Sequence, residues 1–106
     1  MLLILAALAS PHRLRIVERL HLGGRNYISQ LAREVGLSRP LLHLHLRKLE
    51  DAGLVTSQFE LSPEGKALNV FALADFAVEL TPSSIAFAAR TLTAQSGIPQ
   101  MEESQP

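Results

Sequence analysis

A mainly α-helical chain with one small β-hairpin is the fold class this sequence predicts, and three observations carry it. Residues 26–53 (NYISQLAREVGLSRPLLHLHLRKLEDAG) repeat aliphatic side chains at three- and four-residue spacing on either side of a break at Gly36-Leu37-Ser38. Residues 54–61 (LVTSQFEL) then change to period two, the spacing of a strand. Across 106 residues, 47% are apolar and 19% charged, a balance that supports a folded core in one domain. With four Phe, one Tyr and no Trp, that core has to be aliphatic.

Taken in order, the chain opens on MLLILAALA, an apolar run that ends in Ala7-Leu8-Ala9 and so resembles a signal-peptidase site. No basic residue precedes it and it is too short to span a bilayer, so it is read as a helix buried in a core or a subunit interface. Ser10-Pro11 is a cap followed by a first-turn proline. The helix it starts places Leu14, Val17, Leu20 and Ile16 inward and Arg13, Arg15 and Arg19 outward or towards phosphates. Gly23-Gly24 ends it. Asn26 is expected to cap the next helix, with Ile28, Leu31, Ala32 and Val35 inward. Ser38 caps the one after, with Leu42, Leu46 and Leu49 on one face, and Gly53 ends that helix. Val55, Ser57, Phe59 and Leu61 alternate with Thr56, Gln58 and Glu60 along an outgoing strand. Ser62-Pro63-Glu64-Gly65 fits a type I turn, and Ala67 to Ala74 forms the return strand. Residues 75–80 are left open between strand and linker. Thr81-Pro82 starts a last helix running to about Gln95, with Ile85, Ala88, Ala89 and Leu92 on one stripe. Residues 1–95 are expected to form one domain and 96–106 a disordered tail.

Two helices joined by a Gly-containing turn, the second with a basic face, make a helix-turn-helix whose second helix usually enters the DNA major groove. With the hairpin as a wing, the order helix, helix, helix-turn-helix, hairpin, helix is that of a winged helix. The charge is arranged to match. Residues 1–53 hold eight Lys/Arg against four acids (+4), and residues 54–106 hold two against six (−4), which sum to the net charge of zero.

Several strings sharpen the assignment. ALASPHRLRIVERL and ISQLAREVGLSRPLLHLHLRKLEDAGLV together resemble regulators of the arsenic-repressor (ArsR/SmtB) type over roughly residues 3–74. The shared features are a small-residue, Pro, Arg-Leu-x-Ile pattern, a Leu-Ala pair, a Gly-Leu-Ser turn, a His-Leu pair and a closing Ala-Gly-Leu-Val. The resemblance implies a prokaryotic, cytoplasmic homodimer, paired through its terminal helices, that binds a palindromic operator and regulates transcription. The chain also departs from the family. Tyr27 and Ser29 stand where many members carry a Cys-x-Cys metal sensor, and residues 82–95 contain none of the His, Asp or Glu of a second common metal site. Leu41 and Leu44 replace what is more often Thr and Arg.

The expected DNA-contacting set is Ser38, Arg39, Pro40, Leu41, His43, Leu44, Arg47, Lys48 and, on the wing, Lys66. Arg13, Arg15, Arg25 and Arg33 are lesser candidates for phosphates. Dimerisation is expected through Leu2, Leu3, Leu5, Ile85, Phe87 and Leu92. No metal site or cofactor is expected: there is no Cys, and His43 and His45, two residues apart on a helix, point away from each other. His12 and His21 lack ligand partners at suitable spacing. Catalysis is not expected either, since no phosphate loop, nucleophile elbow or HExxH motif occurs. The partners are then double-stranded DNA and a second copy of the chain, with no membrane. Two alternatives remain: a winged helix turned to a partner protein through Leu41 and Leu44, and a DNA-binding subunit controlled by a separate sensing protein.

Overall fold

The computed structural model describes residues 1–96, in the order α1 (Leu2–Leu8), α2 (Pro11–Gly23), β1 (Asn26–Tyr27), α3 (Ile28–Val35), α4 (Arg39–Asp51), β2 (Val55–Leu61), β3 (Ala67–Leu73) and α5 (Pro82–Ser96). The expected tail lies outside the described residues from 97 onward, and Ser96 is the last residue of α5. The chain divides into two compact units, residues 3–76 and a second built from Met1, Leu2 and the segment that starts at Ala77.

Within residues 3–76 the helix boundaries follow their capping chemistry. Ser10 Oγ accepts from the Arg13 amide (3.3 Å) and Ser38 Oγ from the Leu41 amide (3.3 Å), each satisfying a backbone donor the first turn leaves free. Gly36 closes α3 in the left-handed region (φ 72°), where its amide and that of Leu37 both return to the Ala32 carbonyl. This sharp reversal brings α4 across α3.

Ile16, Leu20, Ile28, Leu31, Ala32, Val35, Leu42, Leu46, Leu49, Leu54, Val55 and Phe71 form the core, with Ala7 of α1 joining it and Ile4 and Leu8 packed on its edge. Ile16 and Leu20 are the buried residues of α2 and Val17 is half-buried. Leu14, expected inward, is 53% exposed. The helix is rotated so that Ile16 takes the central place, and Leu14 falls on the outer side of the 3.6-residue turn.

Asn26 does not cap α3. Asn26 and Tyr27 form a short strand that pairs antiparallel with Phe71 and Val70, so the sheet has three strands in the order β1-β3-β2. Tyr27 occupies the cap position without a side-chain bond, and Asn26 Oδ1 instead accepts from the Tyr27 amide (2.8 Å). The hairpin forms where it was expected, with Val55 opposite Leu73 through to Leu61 opposite Ala67, and the return strand ends at Leu73. The Gly65 amide donates to the Ser62 carbonyl (2.8 Å), closing the turn. Of the alternating set on β2 only Val55 is buried; Phe59 and Leu61 are 75% and 76% exposed, because the core ends at the root of the hairpin. Residues 75–80 form neither helix nor strand.

One polar strap crosses the helices. Arg13 Nε donates to the Ala7 carbonyl (2.6 Å), Nη2 to the Ala6 carbonyl (3.5 Å), and Nη1 to Nδ1 of His45 on α4 (3.0 Å). Arginine is only a donor, so His45 must accept through a neutral ring that carries its proton on Nε2. The His12 ring lies 5.3 Å from that of His45. Burial lowers the His45 pKa, and the charges of Arg13, His12 and Lys48 lower it further.

In the second unit Thr81 and Ser84 cap α5 reciprocally: each amide donates to the other's hydroxyl (3.0 Å both ways).

Two outcomes follow from this packing. Leu46→Ala, at a fully buried position on α4, should lower unfolding free energy by about 2–5 kcal/mol in urea denaturation. A native-like midpoint would show that α4 is not held by its leucines. Because the folded state binds the His45 proton more weakly than the unfolded chain, stability present above the ordinary imidazole pKa of 6.5 should fall as pH drops below it. His45→Gln, which keeps an acceptor without titrating, should flatten that part of the pH profile. Superimposable profiles for the two proteins would exclude His45 as its source.

Candidate nucleic-acid interface

Helix α4 presents two opposite faces. Leu42, Leu46 and Leu49 are buried, and the reverse side carries Pro40, Leu44, Arg47 and Asp51, flanked by Leu41 and Lys48 on one side and Arg39 and His43 on the other. Ser38, Arg39, Pro40, Leu41, His43, Leu44, Arg47 and Lys48 are all exposed, as a surface that touches a ligand must be. Arg39 and Pro40 occupy the first two helical positions, where proline's missing amide costs nothing.

The basic side chains sort into engaged and free. Arg13 is held by the α1 carbonyls and His45, so it is a packing residue and not a phosphate ligand. Arg19 pairs with Glu34 (3.6 Å). Arg25 pairs with Glu60 on the wing, and Gln58 Nε2 donates to the same carboxylate (3.3 Å). Among the described residues, the side chains of Arg15, Arg33, Arg39, Arg47, Lys48 and Lys66 make no hydrogen bond or ion pair. Glu50, at the far end of α4, accepts from Ser57 Oγ (2.7 Å), so its charge is partly absorbed by the wing. Lys66 stands just past the turn, its backbone tied to Ser62 and its ammonium free.

The histidines serve different ends. The His43 ring meets Phe71 edge-on, with centroids 6.2 Å apart, which supports the ring from behind while it stays exposed. His45, half-buried, belongs to the strap and not to the outer face. Among the described residues no three His, Asp or Glu side chains gather as a metal cluster. The strap and β1 were not foreseen from sequence: nothing in the spacing of Arg13 and His45 signals their contact, and a two-residue strand has no period to read.

Of the expected dimerisation residues, Leu2, Leu3, Ile85 and Phe87 are exposed, and Leu5 and Leu92 are half-buried. The Arg90 guanidinium lies over the Phe87 ring, 5.4 Å from its centre. No described helix is long and apolar enough to cross a membrane.

Residues 8–58 match the family model of a helix-turn-helix domain. An uncharacterized HTH-type transcriptional regulator of Methanocaldococcus jannaschii is 49% identical over 55 residues, which are 52% of this chain and 57% of that protein, so the match spans little more than half of the relative's length. Three solved structures share the fold. NolR from Sinorhizobium fredii has a TM-score of 0.59 at 23% identity, covering 89% of this chain and 82% of its own. A possible transcriptional regulatory protein from Mycobacterium bovis, a fragment, gives 0.60 at 21% identity, covering 90% of each chain. An ArsR family transcriptional regulator gives 0.55 at 22% identity, covering 98% of this chain and 91% of its own. Residues 8–58 of this chain are thus similar to a helix-turn-helix domain, and its fold is the winged-helix fold of these solved structures.

Proposed function

We propose that this protein is a transcription regulator that binds a palindromic DNA operator as a homodimer, with residues 1–95 as its DNA-binding and dimerisation module. The observation that carries the proposal is the outer face of α4. Its cations are unpaired, and the buried leucines on its other side hold the helix rigid inside a helix-turn-helix. A helix fixed in that way enters the major groove with its N-terminal residues towards base edges. Arg39 and Arg47 then approach bases or phosphates, Ser38 and Lys48 fix register, and Lys66 lets the wing touch the backbone.

Support for a second copy comes from α5. Its described residues include none that is buried, and Ile85 and Phe87 are largely exposed. A helix of 15 residues is close to the length at which isolated helices are marginal in water, so covering its exposed apolar side chains with a second copy would stabilise it. Leu2 and Leu3 at the start of α1 add apolar surface of the same kind. Pairing through these helices sets the distance between two reading heads, about one turn of DNA apart. An effector, or a separate sensing protein, acts by changing that distance.

Three measurements test the reading. Arg47→Ala should weaken operator binding by about 1–3 kcal/mol in a fluorescence-anisotropy titration, and unchanged binding would remove Arg47 from the interface. Affinity for the same duplex should fall steeply with salt, on the order of 10³–10⁵ between about 50 and 200 mM for about 6–10 phosphate contacts. A flat response would reject DNA as the partner. Ile85→Glu should convert a dimer into a monomer in sedimentation velocity, and a monomeric wild type would exclude the homodimer.

A further inference from the structure

The outer face of α4 has an apolar centre. Leu44 lies opposite the buried stripe of Leu42, Leu46 and Leu49 and is 62% exposed; Leu41, one turn earlier, is 40% exposed beside it. Whatever this face meets, Leu44 lies at its centre. Its surroundings identify the partner's chemistry. Arg39, Arg47 and Lys48 are unpaired, His43 stands exposed at the edge, and the acids Glu50 and Asp51 come only in the last turn, where Ser57 already donates to Glu50. The complement of such a face is an apolar projection enclosed by negative charge.

The floor of the DNA major groove offers that combination in one place. The C5-methyl of thymine is the apolar group displayed there, between phosphate rows on either side. Resting on the DNA-binding reading above, we propose that Leu44, with Leu41 beside it, is a specificity-determining residue that selects thymine by packing on its C5-methyl group. Leucine offers neither donor nor acceptor, so it selects by the methyl it covers and gains less against cytosine, which lacks that methyl. A protein partner with an acidic rim around a hydrophobic pocket would also fit the charges; the experiment separates the two.

Duplexes are selected from a random library with the full-length purified chain. In the tightest-binding sequence, thymines at successive positions of each half-site are then replaced by deoxyuridine, which removes only the methyl. At the position facing Leu44 the wild type should lose about fourfold in affinity for each methyl removed. Leu44→Ala should bind the thymine duplex more weakly by a similar factor and should not distinguish thymine from deoxyuridine there. Leu44 is exposed, so the variant should keep the wild-type circular dichroism and melting temperature, which excludes misfolding as the cause. Wild-type affinity unchanged by deoxyuridine at every position, with salt-dependent binding intact, overturns the thymine assignment and leaves DNA binding standing. Equal losses in wild type and Leu44→Ala also overturn it, since the methyl would then be read by another residue. Failure to enrich any duplex overturns both readings and favours a protein partner.

Discussion

Leu42, Leu46 and Leu49 sit on one side of a 13-residue helix and are sealed from solvent by α2, α3 and the root of the hairpin. Burying three leucine side chains contributes roughly 5–9 kcal/mol, comparable to the whole net stability of a small domain. Because that energy is concentrated on one stripe, the orientation of the helix about its own axis is fixed. The opposite side chains can then be left exposed, and even unfavourable for folding, without the helix turning to bury them. Leu44 is the clearest case: an exposed leucine at the centre of a face gives the isolated protein nothing.

The strap made by Arg13 complements this apolar anchoring. Leucines set which way α4 faces, whereas three directional bonds from one guanidinium tie the end of α1 to His45. The strap removes one arginine from the basic face, as Glu34 and Glu60 remove Arg19 and Arg25. A net-neutral chain thereby keeps its free cations on α4 and at Arg15, Arg33 and Lys66. Charge near a polyanion matters locally, and pairing the cations elsewhere concentrates the remainder where a ligand is met.

Much of this was legible in the residues. The capping serines, Gly36, the 3.6-residue spacing of α3 and α4 and the turn at Ser62–Gly65 each rest on local chemistry, and each is where its chemistry puts it. The departures arise where tertiary contact outweighs a local preference. Asn26 is a good cap residue, yet pairing with Phe71 claims its backbone for the sheet. Leu14 and Ile16, two residues apart on α2, point to opposite sides of the helix, and packing buries Ile16 while Leu14 stays exposed. Phe59 and Leu61 follow the strand alternation faithfully, but the core stops before it reaches them. At the candidate site the exposed set on α4 was readable from its spacing. Which cations are already engaged was not, because Arg13 and His45 are 32 residues apart and Arg25 and Glu60 are 35 apart.

The pairing of Arg25 with Glu60 also changes what the wing is. Read from composition, a hairpin tip with Glu60 and Glu64 around Lys66 is poorly suited to gripping phosphates. With Glu60 paired to Arg25 and hydrogen-bonded by Gln58, one of those acids is offset, and Lys66 and Glu64 carry the remaining charges at the turn. The residual charge of the wing tip is then close to zero, so it neither grips nor resists a phosphate backbone strongly. On the DNA-binding reading proposed above, a near-neutral wing beside a basic α4 would leave most of the affinity to the helix. On that reading the side chains of α4, Leu44 included, are where sequence preference would be encoded.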